Sequence, residues 1–174
     1  MADIPWLAPI ERAATGRFRG HPAFAPFWRQ NFPHELFAEH VRDRTLWVVT
    51  IDDGPPVGMA FTSEIDGLAH LEEIDVHPDV AGHGIGSELL EAVVGIAQVS
   101  GYAAITLATL TDVAWNAPFY AKRGFRILEP HELTPGLVTL PVAHAGQADG
   151  LATLPGWAPT PPGRHPSGRA PPAL

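Results

Sequence analysis

A strand that runs into a glycine-rich turn and out along an amphipathic helix leaves a chain few folds to choose from. Here the unit is Leu68–His77, the turn Gly82-His83-Gly84-Ile85-Gly86-Ser87, and a helix expected from Gly84 to Ser100 with Gly101 as its C′ residue. Glycine accepts positive φ and lets other groups approach the backbone closely. The first N–H groups of a helix have no intrahelical acceptor and lie at the positive end of its dipole. Together they make an anion site, to which Ser87 can add a hydroxyl. A Walker A loop would need a Gly-Lys-Ser/Thr ending, and a dinucleotide fingerprint would need different glycine spacing and an acid about twenty residues on. A plain tight turn before a helix has the same composition, so the loop alone establishes no more than this.

The rest of the chain alternates. Asp3 can cap a first helix with Pro5 in its first turn, and His34 to about Arg44 repeats apolar residues at helical spacing. Leu46–Ile51 and Val57–Ile65 read as strands, and Asp66-Gly67 as the hairpin turn into Leu68–His77. A strand at Ala104–Leu110, a short helix at about Asn116–Arg123 and a strand at Phe125–Leu128 follow. A meander of strands followed by strand–helix–strand units predicts a mixed α/β (α+β) fold, mostly antiparallel, and not a doubly wound one.

Composition divides the chain near Pro141. Beyond it the only charged residues are Asp149, Arg164 and Arg169, while prolines recur from Pro155 to Pro172. Such a segment can donate few ladder hydrogen bonds, so residues 1–140 are expected as the folded domain and 141–174 as an extended or disordered tail. The net charge of −8 argues against a nucleic-acid binder and is compatible with a cationic partner. No apolar run is long enough to span a bilayer, and there is no cysteine for a thiol nucleophile or thiolate site, so a cytoplasmic protein is expected. The nine histidines are scattered with no H-x-x-x-H pair, and no metal site is expected.

The strand before the loop is irregular. Ile74 and Val76 keep period two, but Leu71 lies three positions before Ile74, so alternation breaks at Glu72–Glu73. One extra residue is what a β-bulge supplies, and a bulge here would splay this strand from a parallel neighbour at Ala104–Leu110. The alternative is that both glutamates lie on an exposed strand edge without a bulge.

These residues resemble the acetyl-CoA-binding core of the GCN5-related (GNAT) N-acetyltransferases. The family's phosphate loop, Gln/Arg-x-x-Gly-x-Gly/Ala after a V-x-P strand end, is met by Val76-His77-Pro78 and then Ala81-Gly82-His83-Gly84-Ile85-Gly86. Its Tyr-x-x-x-Gly-Phe signature is met by Tyr120-Ala121-Lys122-Arg123-Gly124-Phe125, and the likeness covers about Asp3 to Leu128. The resemblance implies a twisted sheet with a splayed parallel pair at its centre and flanking helices. It implies acetyl-CoA as co-substrate, with its pantetheine along Ile74, Asp75 and Val76 and its pyrophosphate on Gly82, His83, Gly84, Ile85, Gly86 and Ser87. It implies Tyr120 as the general acid for the leaving thiolate, whose basicity a phenol of pKa about 10 suits. A core aromatic is the plainer role for the same residue.

The base that frees the acceptor amine is Glu72, Glu73 or a water, with His70 a lesser alternative. Asn116 suits an N-cap for the helix carrying Tyr120, or a cofactor contact, or both. The acceptor is expected to be a small-molecule or peptide amine, near Phe18, His21, Phe24, Phe27, Trp28 and Phe32, which core packing explains as well.

Three departures from the family pattern stand out. Ala81 replaces the usual Gln or Arg, while His83 stands where a basic residue is common. The family's first strand has no counterpart before Asp3, and its last has only Leu137–Leu140 as a short candidate. The sheet is therefore expected to be small, or completed across a homodimer. These departures keep open a second function, a catalytically silent acetyl-CoA-binding module with a sensing or scaffolding role. A nucleotide binder using the same glycine loop is the third.

Overall fold

A computed structural model describes residues 3–21, 32–140 and 149–153, the last five as backbone. Its centre is a six-stranded sheet in the order β1-β2-β3-β4-β6-β5. Helix α1 (Ile4–Thr15) leads through a short 3-10 turn (Gly16–Phe18), and α2 spans His34–Asp43. Strands β1 (Leu46–Thr50), β2 (Pro56–Ile65) and β3 (Leu68–Val76) then form an antiparallel meander. Helix α3 (Ile85–Val99) crosses to β4 (Ile105–Leu110), which runs parallel to β3. After α4 (Asn116–Ala121) come β5 (Arg126–Ile127), α5 (Pro135–Thr139) and β6 (Asp149–Thr153). Among the described residues no helix is long and apolar enough to cross a membrane.

Side chains alternate across a strand, and β2 uses both faces. Ala60 faces α3, joining Leu89, Leu90, Val93, Ile105 and Leu107 in one apolar cluster. Met59 and Phe61 face the other way and pack under α1 and α2 with Leu7 and Phe37. Phe61 is fully buried, and each such side chain contributes about 1.5–3 kcal/mol of transfer free energy. Asp66 and Gly67 both take positive φ, +50° and +77°, as the two-residue hairpin requires.

Local expectations are corrected at the chain's two ends. Asp3 stands at the N-cap position of α1, but its backbone is already helical and its carboxylate makes no cap bond. Leu137–Leu140 is not a strand. Thr134 Oγ1 accepts the Leu137 N–H and Asp66 accepts the Gly136 N–H at 2.7 Å, which starts α5 at Pro135. The sheet is completed by Asp149–Thr153, from the segment assigned to the tail, which inserts between β4 and β5 and runs antiparallel to both. The last strand is thus present, supplied by the chain itself, while no strand precedes α1 among the described residues.

Candidate active site

The central strands pair unequally. Strand β3 matches β2 along its whole length, from Leu68↔Ile65 to Val76↔Gly58. It matches β4 only over Ala69–Leu71 against Ile105–Leu107, and beyond Leu71 the two part. At that point Phe61 faces Glu73 while Thr62 faces Leu71, so Glu72 is the extra residue of a β-bulge. The bulge keeps Leu71 and Ile74 on the α3 side and leaves Glu73 and Asp75 opposite Phe61 and Met59, on the α1 side. A cavity of about 600 Å³ fills the gap between the parted strands.

One end of the cavity is the glycine loop. Gly82 and Gly84 sit at φ +85° and +88°, a region that other residues adopt only with strain. Gly84 is the N-cap of α3, and the N–H groups of residues 82–86 have no acceptor among the described residues. Ser87 differs from them, because its N–H donates to the Gly84 carbonyl at 2.8 Å and only its hydroxyl is left to offer. Ile74, Val76, Ile85, Gly86 and Ser87 all line the cavity. His83 does not: it is exposed, and its Nδ1–H donates to the Val80 carbonyl at 3.2 Å.

A residue not singled out in the sequence stands here. Arg123 donates from Nη2 to Ser87 Oγ and from Nη1 to the Phe119 carbonyl at 2.6 Å, and its guanidinium lies 3.9 Å from the centre of the Phe119 ring. The available signal was spacing: Phe119 and Arg123 are four apart at the end of a helix, so their side chains meet.

The other end is acidic. Glu72 is exposed, whereas Glu73 is half-buried and its Oε1 accepts the Ile74 N–H at 3.3 Å. Burial, reinforced by the Glu11 and Glu72 charges, pushes the Glu73 carboxyl up to about 7. Asp75 is buried, and its Oδ2 has no hydrogen-bond partner. Burial raises its carboxyl well above the usual range, and the Glu73 and Glu11 charges raise it further. Glu11, on α1 and buried, is held by the Phe32 N–H at 3.0 and 3.2 Å. Tyr120 packs edge-on to Phe119 and Phe125. Burial raises its phenol above the ordinary value, as do the Glu73 and Asp75 charges, with Arg123 acting in the opposite sense. The structure thus brings Tyr120, Glu73 and Asp75 into the lining of one cavity, together with the exposed Glu72.

Other expected residues fall differently. Asn116 lines the cavity but is the first residue of α4, not its N-cap; that position is Trp115, with no side-chain cap bond. His70 is buried between β3 and β4, where its Nδ1–H donates to Thr106 Oγ1 at 2.8 Å and Thr106 in turn donates to the Ala69 carbonyl. It ties the parallel pair together outside the cavity. Phe18 lines the cavity and packs 4.8 Å from Trp115, while His21 bonds Asp112 at 3.1 Å. Phe32 packs edge-on against Phe37 and Phe61. Phe24, Phe27 and Trp28 lie outside the described residues.

Comparison with known proteins bears on the family and the fold. The family model described as the acetyltransferase (GNAT) family matches residues 13–125. The peptidyl-lysine N-acetyltransferase YjaB of Salmonella typhimurium is 31% identical over 94 residues, 53% of this chain and 58% of that protein. The chain therefore matches less than two thirds of that relative's length. The uncharacterized N-acetyltransferase YjcF of Bacillus subtilis is 29% identical over 103 residues, 59% of this chain and 71% of that protein. Among solved structures, the PaiA N-acetyltransferase of Thermoplasma acidophilum in complex with coenzyme A superposes with a TM-score of 0.67 at 17% identity, covering 87% of this chain and 92% of that one.

Proposed function

Because this chain belongs to the GNAT acetyltransferase family, we propose that it moves an acetyl group from acetyl-CoA to a primary amine by direct attack. The observation that carries the reading is the parting of β3 from β4 beyond Leu71, which opens a groove onto the free amides of residues 82–86. The first supplies unpaired strand backbone for an extended ligand, and the second an anion site for a diphosphate. A structural neighbour that holds coenzyme A supports the same co-substrate.

In this reading Glu73 takes the proton from the acceptor's ammonium group, directly or through one water. The freed nitrogen attacks the thioester carbonyl, the C–N bond forms, and the C–S bond breaks. Tyr120 gives its proton to the departing sulfur. A carboxyl held near 7 suits its part, because a base works best when its pKa lies near the working pH. Tyr120 stays protonated at that pH, and burial makes it a weaker acid than the free phenol, so the transfer is driven by the charge that develops on the departing sulfur. Glu72, which is exposed, takes no proton in this scheme. The buried carboxyls favour a cationic acceptor, a small molecule or a peptide amine such as the lysine that the name of the Salmonella relative specifies. Since β6 comes from the same chain, this reading needs no homodimer to complete the sheet.

The test is a thermal-shift series with acetyl-CoA, ATP and NAD, followed by turnover across a panel of amines. Acetyl-CoA should raise the melting temperature and the nucleotides should not. Stabilisation by a nucleotide alone would sink the proposal. Tight binding without turnover on any amine would reassign the chain as a silent acetyl-CoA-binding module.

A further inference from the structure

The loop position that carries a polar side chain in the expected pattern is Ala81 here, yet a cation does reach the loop, from a different element. We propose that Arg123 anchors the co-substrate's diphosphate from the end of α4, in place of any side chain of the loop itself; this rests on the acetyl-CoA reading above.

Three observations carry it. First, the guanidinium is held in place without a carboxylate. Phe119 lies under its face, the Phe119 carbonyl takes Nη1, and among the described residues Arg123 makes no ion pair. Its Nε is buried with no partner, and the residue lines the cavity, so a positive charge without an ion-pair partner among the described residues borders the site. Second, Nη2 donates to Ser87 Oγ. A hydroxyl that accepts this bond must direct its own hydrogen elsewhere, and the amides of residues 82–86 beside it also have no acceptor. The surroundings are therefore rich in donors, with one fixed charge, and call for an acceptor-only anion. Third, Arg123 joins two elements. It bonds Ser87 in the first turn of α3 and sits three residues after Tyr120. A diphosphate bound there would set the first turn of α3 and the Tyr120 helix in one frame, linking cofactor capture to the position of the proton donor.

The experiment is calorimetric titration of the full chain with coenzyme A, for wild type, Arg123→Gln and Arg123→Lys, at about 50 and about 300 mM salt. Gln removes the charge but keeps a donor for Ser87, whereas Lys keeps the charge and loses the fork. Arg123→Gln should weaken binding about 10- to 100-fold at low salt and flatten its salt dependence. Arg123→Lys should keep the salt dependence and lose less affinity. A folded Arg123→Gln protein that binds as tightly as wild type would overturn the proposal. So would weaker binding with an unchanged salt dependence, since that is the mark of a merely structural contact. Wild type that binds no coenzyme A at all would instead remove the acyl-transfer reading on which the proposal stands.

Discussion

The two ends of the cavity recognise charge by opposite means. At the α3 end the donors are mostly main-chain N–H groups, presented by two glycines with positive φ and backed by one guanidinium. At the other end the charge belongs to side chains, Glu73 and Asp75, set on one strand face by a single-residue bulge. A backbone site does not titrate and depends on conformation. A side-chain site titrates, and burial has shifted its groups toward neutral pH. Substitutions and pH should therefore act differently on the two.

The sharpest contrast is expected from Tyr120→Phe, which should lower kcat about 10²–10⁴-fold and leave the affinity for acetyl-CoA nearly unchanged. Steady-state kinetics with direct calorimetry checks this, and an unchanged kcat would remove Tyr120 from the chemistry. Glu73→Gln should cost about 100-fold in kcat/KM, and Glu72→Gln no more than about twofold. In the wild type kcat/KM should rise with pH through about 7, as the Glu73 carboxyl loses its proton. Equal small losses for both glutamates would hand the base role to water.

At the backbone end, Gly84→Ala should destabilise the protein by about 1–2 kcal/mol, because φ +88° is strained for any residue with a Cβ, although the space around it is open. Chemical denaturation measures this, and an unchanged midpoint would mean that the turn relaxes at no cost. The acidic end should also appear in stability. Burial raises the folded-state pKa of Glu73 and Asp75 above the unfolded values near 4, so at intermediate pH the folded chain holds more protons than the unfolded one. Their contribution is complete below about pH 4 and is lost as pH rises through the folded values. Asp75→Asn should flatten that part of a melting-temperature profile, and a profile identical to wild type would place the buried charge elsewhere. The smallest effect is expected for His83→Ala, which should change coenzyme A affinity by less than about twofold, since that ring turns to the Val80 carbonyl and away from the cavity.

Much of this arrangement was legible in the sequence, for identifiable reasons. Broken alternation between Leu71 and Ile74 marks the bulge because period two is rigid on a sheet, and the extra residue has to go somewhere. Which glutamate turns inward was not legible, since that depends on whether residue 72 or 73 is the one left unpaired. Helix ends were less readable where backbone geometry overrode side-chain preference: Asp3 and Asn116 are good capping residues that do no capping. Arg123 was hidden because its role comes from a contact with Ser87, thirty-six positions away. Strand β6 was hidden by composition, because five residues able to pair lie just before a proline-rich stretch and their partner β4 is about forty residues upstream.

That late strand also sets an order of assembly. Among the described residues β5 pairs in the sheet only with β6. The α4–β5 segment, with Tyr120 and Arg123, therefore cannot be fastened to β4 through β5 until Asp149–Thr153 has slid in beside it. The meander and α3 can settle from near-neighbour contacts, whereas this last pairing closes a long loop and should come late. A chain still emerging during synthesis could pack its meander, α3 and the Tyr120 side chain into one core well before β5 had a strand to pair with. A cut just before Asp149 would leave β5 without its neighbour in the sheet.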